Sequence, residues 1–330
     1  MAILVTGGAG YIGAHTVLEL RRRKYKTVVI DDLSEGHRQA VEGVPLVVGD
    51  IRDQELTGWV MSKFAVEAIV HFAANSIVSE SMEDPRKYYE NNIGGTMSLM
   101  QSVLKKGIKK IVFSSTAAVY GEATHDLITE ESPKQPTNVY GRTKLFIEDM
   151  LFDYSRAYGI KCICLRYFNA CGADCEGNIG EDHEPETHLI PIVLSAAQGK
   201  IKKVMIYGTD YPTPDGTCIR DYIHVSDLAR AHVLALEALD KGLESRAYNL
   251  GTGHGFSVRE VISKAEEVTG QRIKTIESDR RRGDPPILVA SPAKIYNELG
   301  WEARHRDLKE IIATAWKWHS IHPTGFKEGK

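Results

Sequence analysis

A tyrosine and a lysine four positions apart, Tyr140 and Lys144, are the residues of this sequence best suited to acid–base chemistry. On a helix, side chains at this spacing share one face. An ammonium group beside a phenol stabilises the phenolate, so the pair predicts a tyrosine pKa lowered towards neutrality. Such a phenolate accepts a proton from a substrate hydroxyl group near neutral pH.

A glycine-rich segment near the start of the chain predicts a binding site for a dinucleotide. Gly7, Gly10 and Gly13 follow the apolar run 3–5 and precede the helical stretch 14–23. Glycines at these positions let backbone amides approach a pyrophosphate at a helix N-terminus. We therefore expect a phosphate-containing cofactor.

Two carboxylates indicate which dinucleotide binds. Asp31 and Asp32 end the second predicted strand, close to the spacing expected for a group that hydrogen-bonds the adenosine ribose. A carboxylate there repels a 2′-phosphate, and no arginine follows before Arg38. The sequence therefore predicts NAD rather than NADP.

Short β-branched segments alternate with longer helical ones, which is typical of βαβ units in a doubly wound parallel sheet. The predicted strands are 3–5, 27–30, 45–48, 68–71, 110–113 and 161–165. We expect an α/β Rossmann domain over 1–168, to which 217–240 returns, and a smaller substrate-binding lobe over 169–330. Ligands then lie in the crevice at the carboxyl ends of the strands.

Composition and charge exclude several partner classes. The 330 residues are 42% hydrophobic and carry a formal net charge of −3, so no basic footprint indicates nucleic acid or an anionic membrane surface. No apolar run approaches the roughly 18 residues that a membrane span needs, and no basic leader opens the chain. We expect a cytoplasmic protein that binds neither nucleic acid nor membrane.

The five cysteines predict free thiols, because an odd number without a secretion signal argues against a disulfide framework. Cys171 and Cys175, with His183 and His188 nearby, are a conceivable zinc set. Their spacing stands without a second cysteine pair, so small buried cysteines are the favoured interpretation. The sequence thus predicts no metal site.

Taken together, the motifs resemble the extended short-chain dehydrogenase/reductase family, and within it the nucleotide-sugar 4-epimerases. The segments that carry the resemblance are TGGAGYIG (6–13), HFAA (71–74), YYENN (88–92), SSTAAVYG (114–121), NVYGRTK (138–144), LRYFNACGA (165–173), RDYIHVSDLA (220–229), YNLGTG (248–253) and RRGDPP (281–286). They cover nearly the whole chain and are specific in combination, whereas the glycine loop and YxxxK alone indicate only the superfamily.

The resemblance implies NAD-dependent inversion at C4 of the sugar of a UDP-hexose, through a 4-keto intermediate. Tyr140 would take the proton of the 4-hydroxyl group, Lys144 would stabilise the tyrosinate and hold the nicotinamide ribose, and Thr116 would hydrogen-bond the reacting oxygen. NAD would be a retained prosthetic group. Family members are often homodimers formed by two helices, here 85–105 and 140–158.

The resemblance also implies two sets of binding residues. The cofactor set is Gly7, Gly10, Tyr11, Ile12, Gly13, Asp31, Asp32, Leu33, Asp50, Ile51, Phe72, Ala73, Ala74, Asn91, Tyr140, Lys144 and Phe168. The substrate set is Thr116, Tyr140, Asn169, His188, Leu189, Met205, Tyr207, Arg220, Arg281, Asp284 and Leu288. Arg220 and Arg281 suit a diphosphate because guanidinium groups match phosphate oxygens. A structural salt bridge of Arg220 and a solvated basic face at 280–282 are the competing interpretations.

Other activities remain open at this point. Leu288 stands where a bulky tyrosine commonly limits the sugar pocket, and a leucine is intermediate in size, so an N-acetylated UDP-sugar or a UDP-pentose is an alternative substrate. Ala117 and Ala118 stand where related 4,6-dehydratases carry Asp-Glu, which disfavours dehydration. A net dehydrogenase with exchangeable NAD and a non-catalytic NAD-binding module are the less favoured alternatives.

Overall fold

The computed structural model of the protein describes residues 1–122, 127–281 and 284–326, and its main feature is a parallel sheet. In chain order the strands are β1 (Ala2–Thr6), β2 (Lys26–Asp31), β3 (Leu46–Val48), β4 (Ala68–His71), β5 (Lys110–Thr116), β6 (Lys161–Tyr167), β7 (Asn169–Cys171), β8 (Val204–Tyr207), β9 (Ile219–Arg220), β10 (Tyr222–His224), β11 (Arg246–Leu250), β12 (Phe256–Ser257), β13 (Thr275–Ser278) and β14 (Ile287–Leu288). Across the described ranges, seven of them form the large sheet in the order β11-β6-β5-β4-β1-β2-β3, with every neighbouring pair parallel. The strand order reverses beside β1, so the predicted doubly wound α/β fold is confirmed.

Helices cover both faces of this sheet. They are α1 (Tyr11–Arg22), α2 (Gln54–Lys63), α3 (Val78–Glu83), α4 (Pro85–Tyr88), α5 (Gly95–Lys106), α6 (Val139–Tyr158), α7 (Leu189–Ala197), α8 (Val225–Asp240), α9 (Val258–Thr269), α10 (Ala293–Leu299) and α11 (Leu308–Ile321). Ile3 and Val5 of β1 pack in the core with α1 and α8, whereas Leu4 packs in the core with α2, α5 and α6. Burial on both faces explains why the strands are continuous apolar runs. Among the described helices, none is long and apolar enough to cross a membrane.

The chain returns to the large sheet after its first excursion into the smaller lobe. Helix α8 packs against α1, and β11 pairs with β6 at the edge of the sheet. Our sequence analysis did not identify β11 as a strand of this sheet. The domain boundaries stay a prediction, and the sheet itself includes residues up to Leu250.

The smaller lobe has a hydrophobic core of its own. Its buried side chains come from α7, α9, α11 and β8, with Val193, Ile206, Val261 and Ile311 among them. Three small sheets accompany it in the described residues, with orders β10-β7, β12-β9-β14 and β13-β8. These short strands carry five of the eleven predicted substrate residues.

A buried ion pair fastens α6 to the large sheet. Glu148 of α6 and Arg166 of β6 are 0% and 2% exposed. The guanidinium group donates to both carboxylate oxygens, with Nε 2.9 Å from Oε1. Ser115 donates a further hydrogen bond to this carboxylate, and Arg166 also donates to the Tyr120 hydroxyl at 2.8 Å. A bidentate, fully partnered pair of this kind fixes both the distance and the rotation of the helix.

We expect Glu148→Ala to lower the free energy of unfolding by about 3–5 kcal/mol, because it leaves the Arg166 charge buried without its partner. The matched control on the same helix is Asp153→Ala, whose pair with Arg156 is exposed and which should change stability by less than about 0.5 kcal/mol. Chemical denaturation of both variants measures the difference. Equal losses would mean that the buried pair does not fix α6.

Candidate active site

The glycine turn, residues 7–13 between β1 and α1, leaves room for a ligand at Gly10 and none at Gly7 or Gly13. A Cβ on Gly7 would lie 2.5 Å from the Ala73 nitrogen, and one on Gly13 would lie 2.2 Å from the Gly7 carbonyl oxygen. At Gly10, the residue before α1, a Cβ would meet only the Gly7 oxygen, at 3.6 Å. Gly7 and Gly13 thus serve close packing, whereas Gly10 leaves open the space before the unpaired amides of the first helical turn. This arrangement fits a pyrophosphate.

The two carboxylates after β2 play different parts. Asp31 is buried, and its oxygens accept hydrogen bonds from the Ala9 nitrogen at 2.8 Å and the Leu33 nitrogen at 2.9 Å. Burial raises its pKa, and these hydrogen bonds oppose that shift. Asp32 is exposed and accepts hydrogen bonds from the nitrogen and the hydroxyl group of Ser34. Asp31 therefore braces the glycine turn, and Asp32 offers the more accessible carboxylate.

Asp32 and Asn91, both predicted to bind the cofactor, line one cleft of about 400 Å³ at this edge of the sheet. Asp50, by contrast, lies against the guanidinium group of Arg52, which lowers the Asp50 pKa. Ile51 is buried in the core beneath α5. The Ile51 side chain is therefore engaged in core packing, and the Asp50 carboxylate in an ion pair.

The segment after β4 closes the other side of the glycine turn. The nitrogens of Phe72 and Ala73 both donate to the Thr6 carbonyl oxygen, at 2.9 and 3.1 Å. The Phe72 ring packs on His232. Ala73 and Ala74 thus bring small side chains and backbone to the place where Gly7 comes closest.

Asn92 is a positioning residue that our sequence analysis did not single out. It is fully buried in a π-helical turn, Tyr89–Gly94, and accepts a hydrogen bond from the Asn75 nitrogen at 2.8 Å. Its amide nitrogen donates to the Asn75 carbonyl oxygen and the Thr143 hydroxyl, both at 3.1 Å. Asn92 thereby joins the loop after β4 to α6. In the sequence, Asn92 belongs to the YYENN segment that carries the family resemblance. The spacing of apolar residues there did not indicate a π-helical turn.

Tyr140, Lys144 and Thr116 converge where α6 crosses the carboxyl end of β5. Tyr140 lies in the first turn of α6, and its phenol lies near enough to the hydroxyl group of Thr116, the last residue of β5, for that hydroxyl to lower the phenol pKa. Lys144 is 2% exposed, and its Nζ donates to the Ser114 carbonyl oxygen at 2.9 Å. The same Nζ lies 5.8 Å from the centre of the Tyr140 ring. The structure thus brings the three predicted catalytic side chains together.

The electrostatics of the pair differ from our expectation. Burial raises the pKa of Tyr140 to about 12, and the Thr116 hydrogen bond only partly opposes it. Burial likewise lowers the pKa of Lys144 to about 7, against the attraction of Glu148. Removal from water disfavours the charged form of both groups. At neutral pH the phenol is therefore protonated.

Part of the substrate set gathers on the three-stranded sheet of the lobe. Leu288 of β14 pairs with Arg220 of β9, whose guanidinium group lies 3.3 Å from a carboxylate oxygen of Asp284. Leu288 also packs against the cluster that contains Ala117 and Phe168. The structure therefore connects these substrate residues with the turn after Thr116. The salt bridge that we considered for Arg220 is therefore formed with Asp284 rather than with the neighbouring Asp221.

The other substrate residues lie on β7, β8 and the segment after β13. Met205 and Tyr207 alternate along β8 with the buried Ile206, so both point away from the lobe core. The Arg281 guanidinium group stacks on the Tyr207 ring, 3.9 Å from its centre. Asn169 donates its backbone nitrogen to the Asp221 carbonyl oxygen at 3.0 Å. Residues 282–283, part of the RRGDPP segment and of the predicted basic face, lie outside the described residues.

His188 and Leu189 lie at the start of α7, after a long irregular segment. The segment begins beside the glycine turn, where the Tyr11 hydroxyl donates to the Gly172 carbonyl oxygen at 2.6 Å. His188 Nδ1 lies 2.5 Å from a carboxylate oxygen of the buried Glu181. Burial would lower the pKa of His188, but this carboxylate outweighs it and raises the pKa. All five cysteines fall within the described residues and are free thiols, as predicted.

Comparisons with known proteins agree with this arrangement. The NAD dependent epimerase/dehydratase family matches residues 3–251. A UDP-glucose 4-epimerase of Halalkalibacterium halodurans is 52% identical over 99% of this chain and 98% of its own. The solved UDP-glucose 4-epimerase of Brucella ovis in complex with NAD is 50% identical, covers 96% of this chain and 97% of its own, and has a TM-score of 0.93.

A third relative binds both expected kinds of ligand. The solved UDP-glucose 4-epimerase of Bifidobacterium longum in complex with NAD⁺ and UDP is 39% identical, covers 99% of this chain and all of its own, and has a TM-score of 0.93. These findings confirm the resemblance that the motifs indicated and the prediction of NAD as the cofactor. The chain belongs to the NAD dependent epimerase/dehydratase family.

Proposed function

We propose that this enzyme interconverts UDP-galactose and UDP-glucose by inversion at C4 of the sugar. The observation that carries the proposal is the meeting of Tyr140, Lys144 and Thr116 beside the glycine turn. Full-length identity of 52% to a UDP-glucose 4-epimerase supports the same reaction. A non-catalytic NAD-binding module needs the glycines but not this buried acid–base pair.

In the proposed mechanism Tyr140 moves the proton of the sugar 4-hydroxyl group. NAD, when bound, would supply the oxidation and reduction at C4 by hydride transfer. Tyr140 takes the hydroxyl proton as the 4-keto sugar forms and gives it back after the sugar has turned over. Thr116 would orient the reacting oxygen, because its hydroxyl group lies beside the Tyr140 phenol.

Lys144 makes the proton transfer feasible. The Tyr140 phenol is neutral in the free enzyme because burial raises its pKa to about 12. A positive charge 5.8 Å from the ring centre favours the tyrosinate over the phenol. Lys144 is held there by its hydrogen bond to the Ser114 carbonyl oxygen. We therefore propose that Lys144 stabilises the tyrosinate and also holds the nicotinamide ribose.

The residues around the glycine turn fit a retained NAD. The amides that begin α1 would hold the pyrophosphate, and Asp31 and Asp32 would hold the adenosine ribose. Asn91 lines the same cleft as Asp32. A cofactor that is oxidised and reduced within one turnover has no reason to leave, so we propose that it stays bound.

The UDP part of the substrate would supply most of the binding energy. A sugar that must turn over cannot be held tightly, so the nucleotide end has to anchor the substrate. Arg220 and Arg281 would contact the diphosphate, and Asn169, Leu189 and Tyr207 would complete the nucleotide site together with His188, Met205 and Asp284. Leu288, packed beside Ala117 and Phe168, would border the sugar.

We further propose that the enzyme is a cytoplasmic homodimer, with domains 1–168 and 169–330 as predicted. Apolar side chains stand exposed on α5 and α6, with Met97 42% and Phe146 50% exposed. Such side chains on neighbouring helices suit an interface between two copies.

Tyr140→Phe should lower kcat at least about 100-fold, the usual contribution of a general acid–base group. The control is Tyr158→Phe at the other end of the same helix, where the ring is half exposed. Loss of the Tyr158 hydroxyl group should leave kcat unchanged. Conversion of UDP-galactose, followed by chromatography, measures both. Full turnover in Tyr140→Phe would refute the role of the phenol and favour a different reaction.

Lys144→Met should shift the rise of kcat with pH towards higher pH. The reason is that the tyrosinate loses its nearest cation, while its pKa is already raised by burial. Profiles of kcat between neutral and alkaline pH test this, with the exposed Lys200→Met as the control. A variant that loses activity equally at every pH would show that Lys144 does not tune the phenol.

Leu288→Ala should raise kcat/KM for UDP-N-acetylglucosamine relative to UDP-galactose by at least about 10-fold, the effect of a small change in pocket size. Leu288→Met, which keeps the volume, should leave the ratio near that of the unmodified enzyme. Parallel assays on the two sugars measure the ratio. An unchanged ratio in Leu288→Ala would mean that this side chain does not border C2 of the sugar.

A further inference from the structure

The irregular segment before α7 gathers four side chains of the kinds that ligate metals. Among the described residues, Glu181, His183, Glu186 and His188 each offer one ligand atom, and these atoms all lie within 4.8 Å of one another. Glu181 is 3% exposed, His183 and Glu186 are partly buried, and His188 is exposed. The mechanism uses neither Glu181, His183 nor Glu186.

We propose that these four side chains form a tetrahedral site for a divalent transition metal, with Zn²⁺ the best match. Zinc takes imidazole nitrogen and carboxylate oxygen as ligands and favours four-coordinate sites. Calcium and magnesium favour sites made of oxygen alone, so two imidazoles select against them.

The distances between the ligand atoms are close to those of a zinc tetrahedron. Bonds of about 2.1 Å place neighbouring ligand atoms about 3.4 Å apart. Glu181 Oε1 lies 3.4 Å from His183 Nδ1. The oxygens of Glu186 lie 3.8 Å from His183 Nδ1 and 3.6 Å from His188 Nδ1.

One contact must change for the metal to enter. Glu181 Oε1 and His188 Nδ1 lie 2.5 Å apart in a direct hydrogen bond, so they must separate by about 1 Å to span an edge of the tetrahedron. His188 is the most exposed of the four, with 53% of its side chain accessible. The adjustment therefore falls on the ligand with the most room.

The charges of the set also suit a divalent ion. Two carboxylates and two neutral imidazoles carry a charge of −2, which Zn²⁺ cancels. A neutral cluster is what a largely buried position favours, because unpaired charge there is costly. The ion would take the place of the protons that the imidazoles otherwise hold between the carboxylates.

Such a site would be structural rather than catalytic, since four protein ligands leave no open coordination position. Its place in the fold indicates what it stabilises. The segment is tied to the glycine turn through the Tyr11 hydroxyl and the Gly172 carbonyl oxygen, and the His183 ring lies edge-on to Tyr11. Zinc would hold this long irregular segment beside the cofactor turn, and it would hold His188 through Nδ1, leaving Nε2 outside the coordination sphere.

The site differs from the zinc set considered from the sequence, which included two cysteines. Cys171 is buried and Cys175 is exposed, and neither belongs to the cluster. The motif is instead Glu-x-His-x-x-Glu-x-His over residues 181–188. The prediction of no metal site rested on the lack of a second cysteine pair in the sequence.

The test uses the untagged full-length protein with its cofactor, stripped of metals by a chelator. Titration with Zn²⁺ should show one ion per chain with a dissociation constant below about 1 μM, as expected for a structural site. The melting temperature should rise as the site fills. Titration with Co²⁺ should give the visible bands of a tetrahedral centre without a thiolate charge-transfer band. No saturable binding by the unmodified protein would overturn the proposal.

Four variants decide which residues hold the ion. Glu181→Gln and His183→Gln should each weaken Zn²⁺ binding at least about 100-fold, the upper range for losing even an outer-shell partner. Cys175→Ser and the exposed His254→Ala should bind as the unmodified protein does. Equal binding by all four variants, loss of binding in Cys175→Ser, or a thiolate band with Co²⁺ would each refute the assignment. If a cluster variant does not fold, the Co²⁺ spectrum of the unmodified protein alone decides.

Discussion

The burial of Lys144 against the end of β5 is the constraint on which the rest of the site depends. Its Nζ donates to the Ser114 carbonyl oxygen, so the helix that carries it must lie at one height along the strand. One turn further along α6, the Glu148–Arg166 pair fixes the rotation of the same helix. Tyr140, one turn before Lys144, then reaches Thr116 without further adjustment. Asn92 adds a third attachment through Thr143, which joins α6 to the loop after β4.

This arrangement carries an electrostatic cost that serves the chemistry. Burial lowers the pKa of Lys144 to about 7 and raises that of Tyr140 to about 12. A lysine that shares a low-dielectric site with a phenol interacts with it more strongly than two groups in water would. Glu148 lies behind the lysine and favours its charged form. In the proposed mechanism, the same network that stabilises the fold thus sets the charge that acts on the proton.

Much of the fold followed from local pattern, because continuous apolar strands between helices have few alternatives to a doubly wound sheet. Tyr140, Lys144 and the glycine turn were evident from spacing alone. Three features were not evident from the sequence. Strand β11 lacks a strong strand pattern in Arg246–Leu250, and the π-helical turn around Asn92 does not interrupt the helical spacing of the residues around it. The Glu181 cluster depends on how an irregular segment folds back. The structure also does not show the predicted lowering of the Tyr140 pKa. The prediction from spacing included the neighbouring charge of Lys144 but not the removal of the phenol from water.

The most direct test of the account is to give the purified enzyme UDP-galactose deuterated at C4, with no nicotinamide nucleotide added. If Tyr140, Lys144 and a retained NAD work as one closed site, UDP-glucose forms and keeps the deuterium at C4, because the hydride never leaves the protein. Conversion with loss of the label would place the C4 hydrogen in exchange with solvent and contradict an internal hydride transfer. No conversion, even after NAD is supplied, would show that this buried acid–base pair serves another substrate.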